Sequence, residues 1–142
     1  MIEAIKYKSW HSYAINLREQ DALSTTELHH DPELLANGPA ITIVAEHIVA
    51  SIGYLPNHGV AHMWMITSPL IHKYRFWMYR NLKQVLDDLV MKEDLHRLQA
   101  VVRTTNEPAK RWIEHLGFQP EGIMRKLAPN ADYVLYARLN DG

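Results

Sequence analysis

No cysteine occurs at any of the 142 positions of the chain. That absence excludes a disulfide-stapled scaffold, a thiolate zinc site and a cysteine nucleophile, and it suits a reducing compartment. Long apolar runs are missing as well, since nothing approaches the roughly 20 consecutive residues that span a bilayer. The first residues, MIEAIKYKSW, lack the apolar centre of a signal peptide. Charge of one sign is scarce. A formal net charge of −1 supplies no global field toward nucleic acid or an anionic membrane. The pairs Lys110-Arg111 and Arg125-Lys126 are too sparse for a basic footprint. There is no internal repeat, linker or low-complexity tract. These absences point to a soluble cytoplasmic protein with a single domain over residues 1–142.

What is present suffices for a core. A hydrophobic fraction of 47% against 22% charged residues argues for a folded chain rather than a disordered one. Ile2 to Lys6 reads as a short strand. From Ser9, a candidate N-cap, to about Gln20 the residues Trp10, Tyr13, Ala14 and Leu17 share one helical face. Between Asp21 and Pro39 short helices and loop are expected. Starts are marked at Ser24-Thr25-Thr26-Glu27 and Asp31-Pro32, and a stop at Asn37-Gly38-Pro39. His29-His30 reads as exposed loop.

Residues 40–67 read as three consecutive antiparallel strands: Ile41 to Ala45, Ile48 to Leu55 and Val60 to Thr67. Pro56-Asn57-His58-Gly59 supplies the turn before the third. That third strand is apolar on both faces and belongs in the middle of a sheet. From Ile71 to about Met91, the residues Ile71, Tyr74, Met78, Leu82, Val85 and Leu89 form a helical stripe opposite Lys73, Arg80, Lys83 and Asp87. Leu98 to Thr104 is a strand. A helix follows from about Glu107 to Leu116, with Asn106 as N-cap and Gly117 as the C-terminal stop. Phe118 to Lys126 and Tyr133 to Leu139 close the chain as an antiparallel pair through Pro129-Asn130-Ala131-Asp132. The strand–helix–strand unit from Val60 to Thr104 implies a parallel, right-handed crossover. The order demands a mixed α/β sheet with helices on both faces.

At Val102 to Phe118, VRTTNEPAKRWIEHLGF, this order meets a resemblance. The segment resembles the second half of a GNAT acyltransferase domain, where a strand ends near an Asn, an Ala follows three residues later, and Gly-Phe follows the helix. Glu121-Gly122 and the tail DYVLYAR from Asp132 to Arg138 are similar to the family's last strands. The likeness is specific from about Leu95 to Leu139; upstream it rests on element order. It implies a GNAT fold, an α/β architecture whose mostly antiparallel sheet of six or seven strands contains a splayed parallel pair. It further implies transfer of an acetyl or acyl group from acetyl-CoA to an amine of a small molecule or protein, by direct attack in a ternary complex. In the family the splayed strands leave backbone groups free to pair with the pantetheine arm like an added strand. On this chain that assigns Met65, Ile66, Thr67 and Ser68 on one strand and Val102 to Thr104 on the other. Asn106 would bond the pantetheine or cap its helix.

One segment departs from the family. Its glycine-containing pyrophosphate loop is replaced by Ser68-Pro69-Leu70-Ile71-His72-Lys73-Tyr74-Arg75-Phe76-Trp77. Side chains here hinder close backbone approach to a phosphate, while His72, Lys73 and Arg75 add charge at a helix start. Those three either contact phosphate or form a solvated basic face, and coenzyme A affinity is expected to be weaker than usual for the family. Small GNAT-like proteins of tailed bacteriophages show the same replacement, and the chain is similar to them. A phage protein of this kind would act in the host cytoplasm.

The family's usual Tyr acid falls at Ile113, which has no proton to give. Tyr74, Tyr133 and Tyr136 are the substitutes. For the base, His62 is the first choice because imidazole titrates near neutrality, with Glu46 and His58 behind it. The bland reading of His62 is a hydrogen-bonded histidine on a half-buried strand. His58 and His62 do not form a helical pair and no HExxH motif occurs, so no metal is expected. Trp64, Tyr74, Phe76, Trp77 and Tyr79 read as mostly core, with Phe76 off the buried stripe, where it can join a partner patch. The lost glycine loop and Ile113 also suit a different class of function: a GNAT-shaped protein that has lost catalysis and engages a host or virion protein, or pairs as a homodimer.

Overall fold

The structure, a computed structural model, describes residues 2–15, 28 and 31–140. The helix expected to continue over residues 16–20, the start at Ser24-Thr25-Thr26-Glu27 and the His29-His30 loop lie outside the described residues. In chain order the elements are β1 (Glu3–Lys6), α1 (Ser9–Ala14), α2 (Pro32–Leu35), β2 (Ala40–Val44), β3 (Ile48–Asn57) and β4 (Val60–Thr67). A 3-10 turn (Pro69–His72), α3 (Arg75–Lys92), β5 (Arg97–Arg103), α4 (Glu107–His115), β6 (Gln119–Ala128) and β7 (Ala131–Leu139) follow. Seven strands run in the order β1-β2-β3-β4-β5-β7-β6. The β1/β2, β2/β3, β5/β7 and β6/β7 ladders are antiparallel and β4/β5 is parallel. This is the expected mixed, mostly antiparallel α/β architecture. Among the described residues no helix is long and apolar enough to cross a membrane.

The chain divides into two compact units, one of Met1–Leu55 with Met63–Arg75 and one of Pro56–His62 with Phe76–Gly142. In the first, Tyr7, Ile15, Leu35, Trp64 and Ile66 form a buried cluster, flanked by Ala40, Ile48 and Leu55. Gly53 lets the backbone approach closely, since a Cβ there would lie 2.6 to 2.8 Å from Ala40 Cβ, Pro39 O and Trp64 Cζ2. Asp31 Oδ1 accepts the Glu33 N–H at 3.0 Å and starts α2 where Asp31-Pro32 predicts. The N-cap of α1, however, is Lys8 and not Ser9. The reason is local: His11 Nδ1 accepts the Lys8 N–H at 3.1 Å, which draws Ser9 into the first turn.

In the second unit β3 and β4 join through His58 and Gly59, with φ of 52° and 83°. Two consecutive positive φ values make the tight hairpin turn whose twist matches the flanking strands. The parallel β4/β5 ladder consists of Val60↔Arg97, Ala61↔Leu98 and His62↔Gln99. Helix α3 starts at Arg75, four residues later than the stripe from Ile71 implies. Ser68 Oγ accepts the Leu70 N–H at 3.3 Å and Pro69 opens a 3-10 turn, so Ile71 and His72 belong to that tighter turn. The buried stripe is correspondingly Met78, Leu82, Leu86 and Val90, spaced by four, while Val85 is 46% exposed. Phe76 stands off this stripe, 72% exposed, as its phase requires. Leu98, Ala100 and Val102 alternate inward along β5, and Tyr133 and Tyr136 are buried on β7.

Candidate functional site

In the first unit the end of β4 leads into the 3-10 turn. Met65 is half-buried, and Ile66, Thr67 and Ser68 are buried. Ser68 is held on three sides: its N–H donates to Val49 O at 2.9 Å, its hydroxyl donates to Val49 O at 3.1 Å, and the same oxygen accepts from Leu70. His72 and Lys73 are exposed. The Lys73 ammonium donates to Glu46 Oε1, and the Tyr74 hydroxyl donates to Glu46 Oε2 at 3.0 Å. The ammonium also lies 5.4 Å from the centre of the Tyr74 ring. These contacts, Lys73 first, hold the Glu46 carboxyl down at about 2. Arg75 Nη1 donates to the His72 carbonyl at 2.9 Å, so the guanidinium folds back on the turn before its helix. Two sequence candidates separated by 27 residues, Glu46 and Lys73, are thus brought together.

The same unit contains a buried polar chain that the sequence patterns did not single out. His11 Nδ1 lies 2.7 Å from Thr42 Oγ1, which lies 2.8 Å from Ser51 Oγ. Because Nδ1 accepts the Lys8 amide, it carries no proton, and the Thr42 hydroxyl must donate to it. Burial, then the charge of Lys8, lowers the His11 imidazole below its ordinary 6.5. The available signal was position: a histidine at the third residue of a helix can reach back to the preceding amide.

In the second unit His62 is the residue at which the β4/β5 ladder reaches its last described pair, opposite Gln99. It is half-buried, and burial pushes its imidazole below the ordinary 6.5, so it is an uncharged proton acceptor at neutral pH. His58, the other candidate histidine, is exposed in the hairpin turn. Thr104 follows the end of β5. Its N–H donates to Asp132 O at 3.0 Å, and its carbonyl accepts from Lys110 Nζ at 3.3 Å. Asn106 is 4% exposed and caps α4, its Oδ1 accepting the Ala109 N–H at 3.3 Å. Thr104 lies five residues beyond the partner of His62, about 16 Å along an extended strand. Tyr136, on β7, is buried and its hydroxyl donates to Glu114 Oε2 at 2.8 Å. Burial first, and Glu114 second, raise that phenol to about 12. Ile113 is 4% exposed and belongs to the core.

Chemically, the arrangement provides one neutral imidazole on a central strand, a short cationic segment before α3, and a capped helix after β5. No protein-family profile and no curated protein matches the sequence. Solved structures do match. A GNAT-family acetyltransferase of Bacillus anthracis superposes with a TM-score of 0.72 at 16% identity, covering 97% of this chain and 94% of that one. The ribosomal-protein-S5-alanine acetyltransferase of Vibrio fischeri gives 0.68 at 17% identity over 99% and 93%. The ribosomal-protein-S18-alanine N-acetyltransferase of Escherichia coli gives 0.65 at 16% identity over 98% and 94%. At these identities the likeness speaks for backbone architecture. This chain has the fold of the GNAT acetyltransferases.

Proposed function

We propose that the protein is an N-acyltransferase that moves an acetyl or acyl group from acyl-coenzyme A to an amine by direct attack. The observation that carries this reading is the GNAT fold over nearly the whole chain, 97% of it against the Bacillus anthracis acetyltransferase. Coenzyme A would supply the activated thioester. Met65, Ile66, Thr67 and Ser68 at the end of β4, and Thr104 with Asn106 after β5, are the residues we assign to its pantetheine arm. His72, Lys73 and Arg75 would meet its phosphates. Their charge suits a pyrophosphate, but side chains stand where a glycine cradle would let backbone amides approach, so weak affinity is expected.

His62 is the proposed base. Neutral at physiological pH, it can take the proton that an attacking amine must lose. Glu46 and Tyr136 stay in the proposal as second-choice base and as acid, each with a handicap. A carboxyl held at about 2 is a weak acceptor, and a phenol near 12 that already donates to Glu114 is a reluctant donor. Titration calorimetry with acetyl-CoA tests the reading, and an absence of heat at millimolar ligand removes it.

A second reading has its own observation. With Ile113 buried where the family's acid would stand, the fold suits a GNAT-shaped protein that no longer catalyses and binds a host or virion protein. Such a protein would be phage-encoded and would work in the host cytoplasm. It predicts retention of a specific bacterial protein on the immobilised chain, with no acyl transfer to any amine.

A further inference from the structure

Along the parallel β4/β5 ladder Ala61 and Leu98 face each other and are fully buried. Alternation then puts Val60, His62, Arg97 and Gln99 on the other face of the sheet, where each is half-buried. His62 and Gln99 are direct ladder partners within the second unit. Neighbouring strands stand about 4.8 Å apart, so both side chains can reach one small molecule. The Gln99 amide has a fixed direction. Its Oε1 accepts the Arg97 Nε–H at 2.7 Å, and because a guanidinium only donates, the oxygen must be the atom on that side. Arg97 is held in turn from β6, where its Nη1 and Nη2 donate to Glu121 Oε2 and Oε1 at 3.1 and 2.6 Å. The Gln99 nitrogen, with two N–H groups, is thereby turned away from Arg97, and it makes no hydrogen bond to a described residue. On its other side the row continues to Ala137 of β7, whose methyl group is too short to cover the amide.

We infer that Gln99 selects the acceptor, admitting a primary amine that carries a carbonyl group on the neighbouring carbon, as in an amino-acid amide or the amino end of a peptide. The inference rests on the acyl-transfer reading with His62 as base. The attacking nitrogen gives its proton to His62 and keeps its lone pair for the acyl carbon, so it cannot also accept from Gln99. An atom next to it must. A carbonyl oxygen on the neighbouring carbon meets the Gln99 N–H while the amine stays at His62, across the spacing of two adjacent strands. A plain alkylamine has no such atom and leaves the oriented donors unpaired, which is the kind of mismatch that gives a site its selectivity. A second ammonium, as in a polyamine, finds no spare carboxylate in this network, because both Glu121 oxygens hold Arg97. Arg97 acts through Gln99 and is a positioning residue.

The test compares L-alaninamide with sec-butylamine, which lacks the carbonyl, as acceptors for the full chain with acetyl-CoA. Gln99→Leu should lower kcat/KM for alaninamide about tenfold more than for sec-butylamine, chiefly through KM, the worth of one hydrogen bond. Arg97→Met, which frees the amide to rotate, should lose part of the same preference. The readout is a ratio between two acceptors on one preparation, so partial unfolding of a variant cancels. A second measurement needs no turnover. In protein labelled with nitrogen-15, the Gln99 side-chain amide resonances, identified by their absence from Gln99→Leu, should shift saturably with alaninamide and not with sec-butylamine. Those shifts without transfer to either amine would remove the acyl-transfer reading and keep the binding site. Transfer with an acceptor preference unaltered by Gln99→Leu, or resonances that alaninamide leaves in place, overturns the inference.

Discussion

The Tyr136 hydroxyl on β7 donates to Glu114 Oε2 on α4 at 2.8 Å, tying the last strand to the helix that follows Asn106. The phenol is 1% exposed and raised to about 12. A raised folded-state value means that the folded protein keeps a proton the unfolded chain has lost. Stability from this group is therefore complete below 10 and falls as pH rises from 10 toward 12. Tyr136→Phe should cost about 0.5–1.5 kcal/mol at pH 8, the net worth of one hydrogen bond, and should flatten the alkaline decline. Urea unfolding at pH 8 and pH 11 measures both. A drop in turnover near 10²-fold would support Tyr136 as the proton donor, and turnover within a few-fold of the parent would exclude it.

His62→Ala should leave acetyl-CoA binding intact and lower turnover about 10²-fold or more. Because burial lowers the imidazole, kcat/KM of the parent should hold its plateau below pH 6.5 before falling on the acid side. An acid limb centred at or above 6.5 would exclude His62 as the base. Equal rates in parent and variant would exclude it as well.

His11 makes a separate acid-stability prediction. Its folded-state value is depressed, so its contribution is complete above 6.5 and is lost as pH falls from 6.5 through the folded value, where the buried imidazole at last takes a proton. Protonating Nδ1 would also deprive the Lys8 N–H of its acceptor. His11→Gln should shift the melting temperature less between pH 7 and pH 5 than the parent does. An identical shift in both proteins would remove His11 as the source.

Glu46 and Lys73 make a charge-competition test. If Lys73 meets a phosphate of coenzyme A, it must leave or share Glu46 to do so. Glu46→Gln should then tighten acetyl-CoA binding by about threefold, within the range of an exposed ion pair, while Lys73→Gln weakens it by at least as much. Affinity unchanged in both variants would return Lys73 to a solvated face.

Asn106 can be separated into its two candidate roles. Asn106→Ala should cost about 1 kcal/mol through loss of the α4 cap, and Asn106→Asp should restore most of it. If the side-chain amide also bonds the pantetheine, the Asp variant regains stability but not acetyl-CoA affinity. Recovery of both by Asp would leave the cap as its whole role.

Local patterns alone determined most of the architecture. Alternation and β-branched residues marked β2 to β5, two-sided apolarity placed β4 inside the sheet, and His58-Gly59 and Asn106 marked a turn and a cap that the structure contains. Such features depend on residues only a few positions apart, so a linear reading reaches them. Where a competing local contact exists, the element boundary lies one to a few residues from the place the local pattern implies. His11 displaced the α1 cap to Lys8, and the Ser68 cap with Pro69 delayed α3 to Arg75.

Tertiary structure alone decided the electrostatics. Glu46 meets Lys73 across 27 residues, Tyr136 meets Glu114 across 22, and Thr42 reaches His11 across 31. The proton affinity of each group follows from a partner or a burial that no sequence spacing encodes. The β6/β7 slip that turns Lys126 toward Asp132 is of the same kind, because register belongs to two paired strands and is a property of neither alone.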